Sequence, residues 1–375
     1  MPDIYTQTTT VGFGKRIMNS IGGVVMGVAM FFGSFGVLYW NEGRVDISDI
    51  AKKSEAISAE TVYTGKDGAF VSMTGKIMGS EDIGDGMYLK PGPYLIVTRT
   101  AEMYAWEQES KSESQTNLGG SETTTTTYNY QKAWTASPSD SSTFEYPEGH
   151  ENPAQTQEYG SYNPETMTVG AYSFNGQEVS IGGGDEISLT PAMVELPKDA
   201  VIQGRYIYLK DADPVAPKVG DERVSFSVLK EGMLGTIFGE VSGSEVTKFT
   251  DKKGNGVFRV FEGGRDEALA TMHDEYKMML WIFRLVGFLL MWAGMMAVTG
   301  PFSTLLDILP FLGGTSRAVI GGVTLLVALV LSLITIVVSA IVQNIFALVI
   351  VAGIAIGGLM FLRAKQKTTP AKASK

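Results

Sequence analysis

"IGGVVMGVAMFFGSFGVLYWNEGR", Ile21 to Arg44, opens with an uncharged, mostly apolar run that stops at Trp40. An amide, an acid, a glycine and an arginine follow at once. About twenty residues at 1.5 Å each cover the roughly 30 Å of hydrocarbon in a bilayer. Lys15 and Arg16 precede the run, and Tyr39 and Trp40 close it, where amphipathic rings favour the headgroup level. The run therefore reads as a membrane span, 21–40, that ends where the membrane ends. A cleaved signal peptide fits less well, because the apolar core is too long and no A-x-A-like site follows.

Working outward, residues 1–20 read as a cytoplasmic N-terminal tail. Three further apolar segments, 285–302, 318–341 and 344–362, read as spans two to four, with 303–317 as a cytoplasmic loop and 363–375 as a basic tail. Arg363, Lys365, Lys367, Lys372 and Lys375 follow the last span without an acid among them. Together with Lys15, Arg16 and Arg317 they place both termini inside, which an even number of spans allows. The segment 41–284 then lies outside. The expected fold class is α+β: a multi-pass α-helical membrane protein of four spans, with a large strand-rich extracytoplasmic domain between spans one and two.

Within 41–284 the signals are mostly those of strands. In "YLIVTRTAEMYAWEQ", 94–108, Val97, Arg99, Ala101, Met103 and Ala105 share one face, and Thr98, Thr100, Glu102, Tyr104 and Trp106 the other. A second alternating stretch, Tyr128–Trp134, makes a long hairpin with it, and the polar tract Ser110–Thr127 is expected to be a mobile tip. Shorter strands are expected at 69–78, 168–182, 203–209, 222–229, 235–241, 245–250 and 256–261. Two helices are expected: 47–60, continuing from span one, and 265–284, running into span two.

The 375-residue chain has a net charge of −10, which argues against nucleic acid as a partner. It has no cysteine, hence neither disulfide nor thiolate chemistry. His150 and His273 are its two histidines and lack ligand spacing, so no metal site, catalytic residue or cofactor is expected. "IGGGDE", 181–186, reads as a turn rather than a phosphate cradle. "DKKGNGVFRVFE", 251–262, has carboxylates where a calcium loop would, but Lys253 occupies a ligand position, and a hairpin turn is the better reading. In the spans, Gly23 and Gly27, and Gly353 and Gly357, repeat at G-x-x-x-G spacing, which suits close helix packing and a homo-oligomer. No span core carries a charge, which weighs against an ion pathway.

"NEGR" (41–44) after the first span, "AEMYAWEQE" (101–109), "YNYQKAW" (128–134), "GHENPA" (149–154), "VGDERVSFS" (219–227), Trp281-x-x-Arg284 and "LLDILP" (305–310) together resemble the transmembrane protein 43 family, also called LUMA. The resemblance implies four spans, termini in the cytosol or nucleoplasm and a large lumenal domain. Animal members reside in the endoplasmic reticulum and inner nuclear membrane, where they organise membrane protein complexes and bind emerin and lamins. The absence of an N-x-S/T sequon and the glycine- and threonine-rich loop suit a bacterial relative in an inner membrane. The expected function is a non-enzymatic scaffold of envelope protein complexes, with the lipid bilayer and other membrane proteins as partners. A channel or transporter-associated protein, and an envelope enzyme using carboxylates, are the alternatives.

Overall fold

The alternation at 94–108 forms one strand of 23 residues, because its period-two pattern buries Val97, Arg99, Ala101, Met103 and Ala105 and leaves the intervening residues half-buried. The computed structural model describes residues 3–210, 212–308 and 310–344, with 349, 353 and 356. Along the chain run β1 (Ile4–Val11), α1 (Phe13–Glu42), α2 (Ile47–Ala51), β2 (Glu55–Ser58), β3 (Phe70–Gly79), β4 (Tyr94–Thr116), β5 (Glu122–Thr135), β6 (Gly160–Tyr162), β7 (Thr166–Val169), β8 (Tyr172–Asn175), β9 (Ser180–Ile181) and β10 (Asp185–Glu186). Then come β11 (Val201–Gln203), β12 (Tyr206–Tyr208), β13 (Glu222–Lys230), β14 (Leu234–Ser242), β15 (Glu245–Thr247), β16 (Phe249–Thr250), β17 (Gly256–Val257), β18 (Arg259–Glu262), α3 (Arg265–Leu306) and α4 (Pro310–Gln343). The chain divides into two compact units: Met1–Gln7 with Asp46–Glu113 and Thr125–Asp274, and Thr8–Val45 with Ser114–Thr124 and Glu275–Lys375.

The first unit is strand-rich. One sheet follows the order β1-β5-β4-β13-β12-β11, with β10 on β13 and β6 on β4. In the other, β3-β7-β8-β15-β14 closes on itself, because β14 pairs back to β3 from Leu234↔Lys76 to Glu240↔Phe70. Closure leaves no free edge within that ring. Inside it lie Val71, Met73, Ile77, Met167, Val169, Tyr172, Phe174, Ile237 and Val246, all almost fully buried. On its outer face Phe238 and Phe261 receive Ile50 and Ala51 of α2 and Ala268, Leu269 and Met272 of α3.

The second unit contains α1, the apolar part of α3, and α4. All three are long and apolar enough to cross a membrane. Leu38, Met291 and Ala328 form its fully buried centre, one from each helix. Outward-facing residues such as Met26, Phe32, Leu285, Leu289, Val323 and Leu333 are exposed, as a lipid-facing surface requires.

Several expectations change. Residues 1–20 are no tail: Ile4–Val11 is an edge strand of the sheet and α1 starts at Phe13. The helix expected over 47–60 stops at Ala51, and Glu55–Ser58 instead pairs in parallel with β3. The tract 110–127 is no loose tip, since the strands continue to Thr116 and resume at Glu122. The strand expected over 168–182 is three short ones. The loop expected at 303–317 is largely helical: α3 runs to Leu306, Asp307 and Ile308 form a turn, and α4 starts at Pro310, since proline is tolerated at the first helical position. Asp251 accepts from the backbone N–H of Lys253 and Asn255, so 251–255 is the hairpin turn between β16 and β17. Of span four at 344–362 only residues 344, 349, 353 and 356 are described, and the basic tail at 363–375 lies outside the described residues.

Candidate functional site

Buried charge outside a catalytic site is costly unless paired, so the paired charges show where the sequence is constrained. In the strand-rich unit, Asp85 has a fully buried side chain. Its Oδ1 accepts from the backbone N–H of Met87, Tyr88 and Leu89, at 3.1, 2.7 and 2.7 Å. Its Oδ2 accepts from Arg99 Nη1 at 2.7 Å. Arg99 Nε donates to the Glu158 carbonyl, and the guanidinium lies over Tyr88 and Tyr162. The turn needs glycine at Gly84, where a Cβ would sit 2.1 Å from the Leu89 carbonyl oxygen. A cleft of about 460 Å³ opens beside this pair, lined among others by Glu81, Asp82, Lys90, Asn163 and Glu195. Burial pushes the Tyr88 phenol above its ordinary value, against the pull of Arg99. Asp85→Ala should strand a buried arginine and lower stability by about 3–5 kcal/mol; a denaturant titration that finds less than about 1 kcal/mol would contradict the pairing.

Two further carboxylates in this unit are held by the chain itself. Glu222 is buried and accepts from Thr156 Oγ1 at 2.5 Å and from the Thr156 and Gln157 backbone N–H groups. Asp46 caps α2 through the Ser48 N–H at 2.9 Å and meets His273 Nδ1 at 2.6 Å. Burial raises the Asp46 carboxyl, but the hydrogen bonds from Ser48 and His273 and the His273 charge outweigh it, so its net pKa is lowered from 3.8. The unfolded chain then binds the extra proton first. Asp46 therefore contributes stability above about pH 4 that is lost as pH falls through its lower folded value. Melting temperature against pH should drop there in the wild type and less in Asp46→Asn; equal slopes would remove Asp46 from the account.

The half-buried face of the first sheet gathers aromatic rings around an arginine. Arg223 lies 4.3 Å from the Trp134 ring centre and 3.8 Å from that of Tyr206, and its Nε donates to Glu102 at 2.8 Å. Trp134 also contacts Tyr104 and Tyr208. Alternation along β4, β12 and β13 puts Glu102, Tyr104, Tyr206, Tyr208 and Arg223 on one face, and Trp134 of β5 joins them through its ring contacts.

In the helical unit, the residues after Trp40 form a junction. Asn41 is buried and its Nδ2 donates to the Leu280 carbonyl at 2.9 Å. Glu42 takes both Arg284 Nε and Nη2 at 2.8 Å, the bidentate geometry of the strongest ion pairs. A Cβ at Gly43 would collide with the Gln343 side chain, whose Nε2 donates to the Tyr39 carbonyl. Arg44 stacks over Trp40 and Phe283. The abrupt end of the apolar run is thus where α1 is tied to α3 and α4.

The opposite ends of the helices carry a second cluster. Asp307, fully buried, accepts at Oδ2 from Arg16 Nη2 at 2.5 Å and from Arg317 Nη2. Glu122, at the hairpin tip, pairs with Arg16 at 2.9 Å and Arg317 at 3.5 Å, and Arg16 also donates to the Gly120 carbonyl. The sequence reading placed Asp307 and Arg317 in the cytoplasmic loop and Arg16 on the inner flank of span one, without pairing them. Their separation in the chain hid the partnership.

Of the four glycines singled out, Gly27 is packed: a Cβ there would lie 2.7 Å from both Ala297 Cβ and the Gly294 carbonyl oxygen. Gly23 and Gly353 would meet nothing within 4 Å, and Gly357 lies outside the described residues. The close approach therefore runs Gly27–Gly294 between α1 and α3, with Gly287 against Leu38 further along.

Comparison with known proteins agrees with the motifs. Human Transmembrane protein 43 is 25% identical over 384 residues, covering 96% of this chain and 94% of the relative. The mouse protein of that name is 25% identical over 80% of this chain and 79% of its own length. The Drosophila melanogaster homolog is 27% identical over 72% of this chain and 74% of its own. No solved structure matches. The Transmembrane protein 43 family model matches residues 103–345, from within β4 to just past α4, and the chain is an integral membrane protein that belongs to this family.

Proposed function

We propose that the chain is a non-enzymatic membrane scaffold, anchored by its helical unit and offering the strand-rich unit to other membrane proteins. The observation that carries this is the Arg223 cluster with Trp134, Tyr206, Tyr208 and Tyr104. Aromatic and arginine side chains gathered on one partly buried face are the composition that interface hot spots favour. The buried carboxylates Asp85 and Glu222 support the same reading, since the chain's own donors occupy them. The bilayer we propose is a bacterial inner membrane, on the sequence grounds of a sequon-free outer segment. Self-association is proposed through Gly23 and Gly353, whose Cβ positions are open.

Crosslinking in membranes, then purification in mild detergent and mass spectrometry, tests the scaffold. A reproducible set of membrane proteins should co-purify and be lost with Trp134→Ala plus Arg223→Ala, while the melting profile shows a folded chain. An unchanged set from the folded double variant would move the binding surface elsewhere. No co-purifying protein at all would sink the scaffold reading.

A further inference from the structure

Two asparagines of the strand-rich unit are followed by glycine, Asn175-Gly176 and Asn255-Gly256. At such a step the glycine backbone nitrogen can attack the asparagine side-chain amide carbon, because glycine has no Cβ to hinder the approach. The fold treats the two steps differently. Gly176 is buried, and its N–H donates to the Glu165 carbonyl at 2.9 Å. A Cβ there would lie 2.1 Å from the Pro164 carbonyl oxygen, so the backbone has no room to swing. Asn175 Oδ1 accepts from the Gln177 and Glu178 N–H groups at 2.8 and 3.2 Å. Nucleophile and amide are both held.

Asn255 and Gly256 lie half-buried at the end of the β16–β17 turn. The Asp251 N–H donates to the Asn255 carbonyl at 2.9 Å. In an antiparallel ladder bonded and non-bonded pairs alternate, so Thr250 and Gly256 are a non-bonded pair and the Gly256 N–H turns away from β16. Among the described residues nothing accepts it. Gly254, at φ +87° and with nothing within 4 Å of a Cβ, lets the turn flex. Asn255 Nδ2 donates to Asp251 Oδ2 at 2.9 Å, and its backbone N–H donates to Oδ1 at the same distance.

We infer that Asn255 is a site of spontaneous deamidation in the folded chain and that Asn175 is not. The Gly256 nitrogen bonds to Asn255 Cγ and gives its proton to solvent. The Cγ–Nδ2 bond breaks, ammonia leaves and a cyclic imide closes. Water then opens the imide at either carbonyl, which leaves aspartate or isoaspartate at 255. The product undoes the turn. A second carboxylate replaces the donor that Asp251 held, and isoaspartate adds a backbone carbon that the pairing of 251 with 255 cannot accommodate. The strands loosened carry Phe249, stacked on Phe70 at 3.9 Å, and Val257, buried with Ile50 and Ala51 of α2 and Leu269 of α3. A slow chemical change in an outer turn thus reaches the seat of two helices.

The full chain in detergent, aged at mildly alkaline pH and read by peptide mass spectrometry, tests the site. Asn255 should convert to the acid at least about 10-fold faster than Asn175, which must first break a backbone hydrogen bond. In denaturant the two should convert at similar rates. Gly256→Ala, whose Cβ would meet the flexible end of the Lys248 side chain, should melt like wild type and convert several-fold more slowly. Asn255→Asp should melt lower and be cut faster by trypsin at Lys252 and Lys253. Equal rates at the two asparagines of the folded chain would overturn the inference. So would a folded chain that keeps Asn255 while the denatured one loses it, or a Gly256→Ala chain that converts like wild type. An Asn255→Asp chain as stable and trypsin-resistant as wild type would overturn the link to the helices.

Discussion

Single cysteines at Thr6 and at Glu148 are expected to be labelled by a membrane-impermeant maleimide from the same side of sealed vesicles. The chain has no cysteine of its own, so each label reports one position. Both residues belong to the strand-rich unit. The Tyr130 N–H donates to the Asp3 carbonyl at 2.8 Å, ahead of the strand pairing of β1 with β5. Tyr5 stacks on Tyr146 with ring centres 4.4 Å apart and meets Tyr130 and His150 edge-on. A strand in a sheet cannot be across a bilayer from its neighbour, because its ladder hydrogen bonds are made directly. The charge rule applied to the sequence puts residues 1–20 inside and 41–284 outside, which predicts opposite sides. All-or-none labelling separates the two, and opposite sides would mean that β1 is unpaired in the membrane.

Gly27→Ile and Gly294→Ile should each destabilise the helical unit by about 1–3 kcal/mol, the range for overpacking, or more if the backbones cannot part. The Cβ of residue 27 would be 2.7 Å from the Gly294 carbonyl oxygen, and that of residue 294 the same distance from the Gly27 carbonyl oxygen and the Phe31 nitrogen. Backbone atoms cannot rotate away as a side chain can, so the helices must separate. Gly23→Ile, with open space around its Cβ, should leave the packing within one chain intact and act, if at all, on the crosslinked oligomer. Detergent-solubilised melting curves decide it. A Gly27→Ile protein that melts like wild type would show that α1 and α3 do not cross there.

Much of the fold was legible because it follows local periodicity. The two-residue alternation of β4 assigned each of Val97 to Trp106 to the correct face. The uninterrupted run from Arg265 was legible as a helix over 265–284 continuing into span two at 285–302, and α3 is one helix of 42 residues that extends to Leu306. What failed depended on distant partners. Glu55–Ser58 is a strand only because β3 stands beside it. The threonine tract at 123–127 has strand propensity, but its low complexity resembled a loose tip. The charge rule counts arginines as free, whereas Arg16 and Arg317 are neutralised by Asp307 and Glu122. The Arg223 platform was hidden for the same reason: Trp134, Tyr206 and Arg223 come from three different strands.

The Arg16 cluster also fixes an order of events during synthesis. Arg16 leaves the ribosome 106 residues before Glu122 and 291 residues before Asp307. At about 5–20 residues per second, the wait for Asp307 is on the order of 15–60 s. Throughout that interval Arg16 is an uncompensated charge at the start of a nascent apolar helix, and it can act on the insertion machinery as such. Once the α3–α4 turn emerges, the same arginine becomes a buried structural contact. The charge that α1 carries at birth is therefore absent from the surface of the finished protein, because maturation hides a group that was open to the insertion machinery.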